Sequence, residues 1–346
     1  MRADIKSMDV GGIAEALSDL GEPRYRASQV LRWLYARGAT SFDEMTDLPA
    51  GLRAALAERF AMSVPRLVER QVSRDGARKY LWRLADGVTV ESVGIPADER
   101  LTVCFSTQAG CRMGCAFCAT GRGGFIRDLS PGEMADQVAM AGRDFGRRVA
   151  NAVAMGQGEP FANYEATLAA LRILNSPDAL GIGARHITVS TCGLPPAIRR
   201  FAREPEQFTL AVSLHSAVQE TRDRLMPGVR GVRLEALRES LVSYVERTGR
   251  RPSLEYALLA GVNDTPEELA AVLAFCRGLL VHVNLIPANV VNGCGFDRSS
   301  ARRAREFLSA LTAAGVEASI RAERGADIDA ACGQLRQRRE GGAEGA

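Results

Sequence analysis

From about residue 100 onward the chain repeats one pattern, a short apolar segment followed by a longer stretch with apolar residues at helical spacing. The apolar segments are LTVCFS, NAVAMG, HITVST, FTLAVSLH, SLEYALLA, HVNLIPA and EASIRA. The helical stretches include SPGEMADQVAMAGRDF, YEATLAALRILN, RLEALRESLVSYVERTG, TPEELAAVLAFCRGL and SSARRAREFLSALTAAG. Ser130 is placed to cap the first of these, with Pro131 at its first position and Glu133 completing a capping box. Repeated strand–helix units at this spacing imply an α/β fold, a parallel sheet with helices outside, open or closed into a barrel. In such a fold chemistry belongs at the C-terminal ends of the strands.

The flanking regions differ. Residues 1–65 read as helical: RYRASQVLRWLYARG places Val30, Leu31, Leu34 and Tyr35 on one face, and GLRAALAERF follows the breaker at Pro49. In the 66–99 region, KYLWRLADGVTVESVGIP reads as a hairpin turning at Asp86-Gly87. Residues 337–346 have no apolar face and are expected to be a disordered tail. No apolar run approaches the ~18–20 residues that span a bilayer. The start, MRADIKSMDVGG, lacks the apolar core of a secretory leader, so a cytoplasmic protein without membrane association is expected. With 44 basic and 41 acidic residues the net charge of +3 singles out no partner. Lys6 and Lys79 are the only lysines; the arginine fork suits phosphates, although a GC-rich genome is the simpler cause of the bias. Eight cysteines in a reducing compartment point to metal or redox chemistry rather than structural disulfides.

Three of those cysteines stand in GCRMGCAFC as Cys111, Cys115 and Cys118, immediately after the first barrel strand. Structural zinc takes four ligands, and no fourth cysteine or histidine lies nearby in the sequence. Three thiolates suit a [4Fe–4S] cluster with one iron left open. At the end of the second strand, Gly156-Gln157-Gly158-Glu159-Pro160 allows close backbone approach, and Glu159 can accept from an ammonium; alone it would read as a plain turn. Ser190-Thr191, Ser213-Leu214-His215 and Asn284 to Asn289 stand at further strand ends, and together these groups read as one pocket. Cys104 lies within the first strand and Cys332 in DIDAACGQL after the last; either alone is more often an inert thiol. Cys192, Cys276 and Cys294 are read as inert core thiols.

The C-x3-C-x2-C spacing, with Phe117 between the last two cysteines, is similar to the motif of radical S-adenosylmethionine enzymes. With GQGEP, SLH, NLIP, DIDAACGQL and the amino-terminal WLYARG and FDEMTDLP, the chain resembles the RlmN/Cfr family of radical-SAM RNA methyltransferases from about Tyr25 to Arg336. The resemblance implies a partial (βα)6-type barrel over 100–336, a small helical RNA-contacting accessory domain and a linking β-hairpin. It implies one [4Fe–4S] cluster on Cys111, Cys115 and Cys118, and two S-adenosylmethionine molecules per turnover. Cofactor contacts would fall on Gly158, Glu159, Ser190, Ser213, Leu214, His215 and Asn289. Many relatives have proline after that asparagine, whereas a divergent loop follows here. In the implied route Cys332 takes a methyl group as thiolate, and a 5′-deoxyadenosyl radical then removes a hydrogen from it. The resulting methylene radical adds to adenine, and Cys104 attacks the Cys332 sulfur, freeing the base through a transient disulfide. Glu91 would remove the ring proton; composition alone would make it a solvated strand residue.

The implied substrates are an adenine of 23S rRNA and the adenine beside the anticodon of tRNA, reached over a phosphate-binding surface. Arg24, Arg26, Arg32, Arg37, Arg122 and Arg127 are candidates for that surface, each also readable as a solvated face, whereas Arg302, Arg303 and Arg305 are expected outside the barrel. FDRSSARRAREF resembles members that act at adenine C2; Cfr-type members act at C8. An electron donor such as flavodoxin or ferredoxin and a monomeric state are further expectations. Two rivals stand beside this reading. One is the same machinery on a non-RNA substrate, motivated by the divergent loop. The other is a non-enzymatic iron–sulfur or zinc RNA-binding protein, which would need neither Cys104 nor Cys332.

Overall fold

A computed structural model describes residues 2–289, 294–322 and 324–335. The divergent loop at 290–293 and the expected tail at 337–346 lie outside the described residues. The accessory region runs β1 (Ala3–Asp4), α1 (Val10–Ser18), α2 (Arg26–Leu31), α3 (Ala50–Arg59) and β2 (Phe60–Ala61). The helix expected around Tyr35 is continuous, but it widens into π-type turns over Arg32–Arg37 and ends at Gly38. β1 pairs with β2, tying the two ends of the region together, which helical periodicity could not show.

Next come β3 (Arg66–Val72), β4 (Arg78–Arg83) and β5 (Thr89–Ala97). The hairpin at Asp86-Gly87 forms as expected, with Gly87 at φ +86°, a conformation that glycine adopts without strain. β3 has no counterpart in the sequence reading: it is an edge strand with Leu67, Val68 and Val72 exposed, so it carries no buried alternation. β5 pairs antiparallel with β6 (Arg100–Cys104), so the three strands extend the barrel sheet.

The barrel continues with β7 (Gln108–Gly110), α4 (Ala119–Arg122), β8 (Phe125–Asp128), α5 (Pro131–Phe145), β9 (Asn151–Ala154) and α6 (Tyr164–Asn175). Then follow β10 (Ile187–Thr191), α7 (Pro195–Phe201), β11 (Thr209–Ser213), α8 (Gln219–Leu225), α9 (Leu234–Thr248) and β12 (Ser253–Leu258). α10 (Pro266–Cys276), β13 (His282–Pro287), α11 (Ala301–Ala313) and β14 (Glu317–Ile320) complete it. β6, β9, β10, β11, β12, β13 and β14 are parallel neighbours in that order, and β14 is an edge strand, so the barrel is open. The capping box is present: Ser130 Oγ accepts from Glu133 N, and Glu133 Oε2 accepts from Ser130 N.

Strand alternation sets the two faces. Val189, Val212, Leu254, Val283 and Leu285 are fully buried in the core that includes the apolar faces of the helices. Their neighbours Ser190, Ser213, Glu255 and Asn284 take the other face, where Asn284 Nδ2 donates to Glu255 at 2.8 Å. The same core runs without a break into the accessory helices through Ile13, Leu17, Leu34 and Leu56. There Lys6 Nζ reaches both carboxylate oxygens of Asp136 on α5, at 2.8 and 2.9 Å, with both residues buried. No helix among the described residues is long and apolar enough to cross a membrane.

Candidate active site

Two contiguous chambers open at the C-terminal ends of the parallel strands. The inner one, about 160 Å³, is lined by Cys111, Cys115 and Cys118 together with Gly158, Glu159, Ser190, Ser213, His215 and Asn289. The outer one, about 310 Å³, is lined by Cys104, and shares Cys118, Asn289, Arg321 and Cys332 with the first. Residues spread over more than two hundred positions thus meet because parallel strands all point their C-terminal ends the same way.

The cysteine loop is clamped by backbone hydrogen bonds from distant segments. Ala116 N donates to Leu225 O at the end of α8, Gly228 N to Met113 O, and Ala119 N to Gly333 O beside Cys332. A Cβ on Gly228 would lie 2.4 Å from Met113 Cα, so only glycine permits that approach. Burial pushes the Cys111 thiol up to about 12 and Cys118 to about 11. Such thiols stay neutral at ordinary pH unless a cation takes their protons' place. Cys192, read from sequence as an inert core thiol, lines the chamber and hydrogen-bonds to the Cys115 thiol; Cys294 lines it too, whereas Cys276 is buried in the core. A fourth thiol is therefore near after all. Three thiols on one short loop, Cys111, Cys115 and Cys118, are a donor set that suits a [4Fe–4S] centre with one iron left open. Behind this wall stands Arg222, fully buried, with Nε and Nη1 lacking any partner. An orphaned buried cation beside the thiols fits an anionic cluster–thiolate centre.

The remaining inner-chamber groups form a polar cradle for a small zwitterion. Gly158, at φ +109°, would place a Cβ 2.7 Å from Gln108, so the turn is open to glycine alone. Glu159 is buried and accepts from Phe161 N at 3.0 Å and Cys192 N at 2.6 Å, which holds its carboxylate in place at the chamber wall. His215 adopts φ +53°, and its Nδ1 accepts from Ala257 N at 3.0 Å, leaving the proton on Nε2. Burial and the neighbouring Arg222 hold its imidazole down to about 3. Asn289 Nδ2 donates to Cys332 O at 3.1 Å, while its Oδ1 is buried without a partner. Leu214 is placed differently: its side chain belongs to the core, its N–H donates to Glu255 O, and its C=O accepts from Ser216 N.

In the outer chamber Cys104 and Cys332 are both free thiols, Cys332 exposed and Cys104 partly buried. Burial first, and then the nearby Cys332, push the Cys104 thiol up to about 12, while Arg321 opposes the rise. Arg321, which no sequence motif singled out, reaches Glu255 at 3.9 Å and lines both chambers beside the two sulfurs. Glu91 is buried, not solvated, because the C-terminal loop covers its face of β5. Its Oε1 lies 3.9 Å from Lys79 Nζ, which also donates to Asp329 O of that loop. Glu91 lines neither chamber.

The candidate phosphate-binding arginines divide. Arg127 is engaged by Asp86 at 2.6 Å and Glu133 at 2.8 Å. Arg32 pairs with Asp178 at 3.0 Å and Arg37 with Asp47 at 3.5 Å, and Arg122 Nη1 contacts Cys294 Sγ at 3.1 Å. Arg26 pairs with Glu22 and stacks on Tyr25, which is 60% exposed. Arg24 is exposed beside them. Arg302 and Arg303 pair with Glu306 along α11 on the barrel exterior.

The family described as the ribosomal RNA large subunit methyltransferase N-terminal domain matches residues 3–62, and the radical SAM superfamily matches residues 105–275. A probable dual-specificity RNA methyltransferase RlmN of Pelotomaculum thermopropionicum is 47% identical over 97% of this chain and 92% of that protein. Its counterpart in Gloeobacter violaceus is 48% identical over 92% of this chain and 90% of that protein. The crystal structure of a radical SAM methyltransferase from Sphaerobacter thermophilus superposes with a TM-score of 0.90 at 44% identity, covering 96% of this chain and 99% of the other. Membership of the superfamily brings a [4Fe–4S] cluster on three cysteines and S-adenosylmethionine. The chain belongs to the RlmN family of radical S-adenosylmethionine methyltransferases.

Proposed function

We propose that the chain methylates C2 of an adenine in 23S ribosomal RNA, and in tRNA, through a methyl group carried on Cys332. The observation that carries this reading is the outer chamber. It places two free thiols, Cys104 from the first parallel strand and Cys332 from the segment after the last, on one cavity that opens into the thiol-lined inner chamber. A non-enzymatic RNA-binding protein has no use for that pair.

Cys111, Cys115 and Cys118 would hold the cluster, and Gly158, Glu159, Ser190, Ser213, His215 and Asn289 the S-adenosylmethionine. When bound, these groups supply a methyl donor and a 5′-deoxyadenosyl radical. The chain's own residues do the rest. Cys332 presents an exposed sulfur to both chambers beside Arg321, and its thiolate acts as the nucleophile. Cys104 waits across the chamber as a neutral thiol; on losing its proton it attacks the Cys332 sulfur, forming the disulfide as the sulfur–carbon bond to the methylated base breaks. Glu91, buried under the Cys332 loop and beside Lys79, would take the proton from the ring carbon once RNA displaces that loop. Arg24, Arg26 and exposed Tyr25 offer the accessory domain's contact with RNA phosphates and bases. Flavodoxin or ferredoxin would supply electrons to a monomeric, cytoplasmic enzyme.

The test is mass spectrometry of protein-free 23S RNA and tRNA incubated with reconstituted enzyme, S-adenosylmethionine and a reductant, beside a Cys332→Ala control. 2-Methyladenosine that disappears in the control is expected. 8-Methyladenosine would move the activity to the Cfr type, and neither product despite 5′-deoxyadenosine formation would sink the RNA assignment.

A further inference from the structure

Among the described residues Arg222 is the only buried arginine. Its Nη2 donates to Cys192 O at 2.6 Å and Ser213 O at 3.4 Å, and its Nε and Nη1 have no partner at all. No carboxylate of the described residues stands within ion-pair distance. A guanidinium cannot shed its proton to escape burial, so an uncompensated one is a large electrostatic cost unless something anionic faces it. The groups within its electrostatic reach include the Cys192 and Cys115 sulfurs, Asp223 and the neutral His215 imidazole. It does not line the inner chamber; it lies directly behind the wall that these thiols form.

The placement is rigid. Arg222 is on α8, whose last residue Leu225 accepts Ala116 N from the middle of the cysteine loop. The guanidinium is therefore held in register with Cys115, not tethered by a flexible side chain. Gly193 makes room for it: a Cβ there would lie 3.0 Å from Arg222 Nη2. A cluster of the [4Fe–4S] type on three thiolates carries one net negative charge when oxidised and two when reduced. A fixed cation shielded from water favours both states over the empty site, and favours the reduced state more.

We propose that Arg222 is the built-in counter-charge of the iron–sulfur centre, which strengthens cluster retention and raises the reduction potential. The inference rests on the reading that Cys111, Cys115 and Cys118 hold the cluster. Arg222 acts through space on that centre, as a positioning and electrostatic residue.

The experiment compares wild type, Arg222→Met, Arg222→Gln and Arg222→Lys after anaerobic reconstitution with ferrous iron and sulfide. Iron and sulfide per chain are measured first, then the midpoint of the one-electron couple by redox titration followed by electron paramagnetic resonance. The neutral variants should lower the reduction equilibrium at least tenfold, about 59 mV for a one-electron couple, with Arg222→Lys shifted less. Thermal melts of the iron-free chains identify any variant that fails to fold. If Arg222→Met is one, Arg222→Gln against Arg222→Lys makes the same comparison. A folded neutral variant that no longer retains iron also supports the proposal. Midpoints unchanged in the neutral variants, or lowered equally in Arg222→Lys, would overturn it, since packing and not charge would then be at issue. A wild-type chain that takes up no iron would overturn the cluster assignment beneath it, a separate and recognisable failure.

Discussion

The joint between the accessory domain and the barrel is the place where one substitution should do most damage. Lys6 Nζ is 2.8 and 2.9 Å from the two oxygens of Asp136, with Lys6 3% and Asp136 1% exposed. The elements approach so closely there that a Cβ on Gly132 would lie 2.4 Å from Lys6 Cβ and O. Water has no route to replace the lost partner, so Lys6→Met leaves a buried carboxylate and should cost about 3–5 kcal/mol. That is a large part of the roughly 5–15 kcal/mol that stabilises a typical domain. Removing both charges, in Lys6→Met with Asp136→Leu, should bring stability back to within about 2 kcal/mol of wild type, because the desolvation cost goes with the pair. Urea unfolding followed by tryptophan fluorescence measures this, with Trp33 reporting the accessory domain and Trp82 on β4 the sheet. RNA affinity should follow the same order, since the pair sets where Arg24 and Arg26 stand relative to the chambers. A single variant costing under about 1 kcal/mol, or a double variant costing the sum of the two singles, would refute the reasoning.

Three further outcomes are expected. His215 is held down to about 3, below its ordinary value, so the stability this neutral imidazole contributes is complete above pH 6.5 and is lost as pH falls towards 3. Between pH 7 and 5 the iron-free chain should lose about 2 kcal/mol from this group, and His215→Gln should remove that component from a pH series of urea midpoints. With the Cys104 thiol pushed up to about 12 and Cys332 exposed, iodoacetamide at neutral pH should label Cys332 first and Cys104 at least ~100-fold more slowly; equal rates by peptide mass spectrometry would contradict the burial argument. Alanine at Cys111, Cys115 or Cys118 should each abolish most iron uptake, whereas Cys192→Ala should retain it, which separates a neighbour of the centre from a ligand.

Much of the site was legible because its signals are local. The C-x3-C-x2-C loop, the GQGEP turn and the capping box at Ser130 are short-range patterns whose geometry follows from spacing. The strand and helix segments of the barrel were legible for the same reason, each carrying its own periodicity. Edge strand β3 escaped because an exposed strand needs no apolar alternation. The pairing of β1 with β2 escaped because two residues leave no pattern. Burial was the harder quantity. Glu91 reads as solvated until the loop around Asp329 is laid over β5, and Cys192 reads as an isolated core thiol until β10 brings it against Cys115.

By itself the sequence determined the class of fold, the end of the sheet where the pocket would gather, and a group of three thiols suited to a cluster. Those depend on backbone propensity and on residues a few positions apart. Tertiary structure alone decided that Cys104 and Cys332 share a chamber, that Arg321 stands beside them, and that Arg222 is buried without a counter-ion. Such facts arise where distant segments exclude water from one another, and exclusion of water is a property of the packed assembly that no local pattern carries.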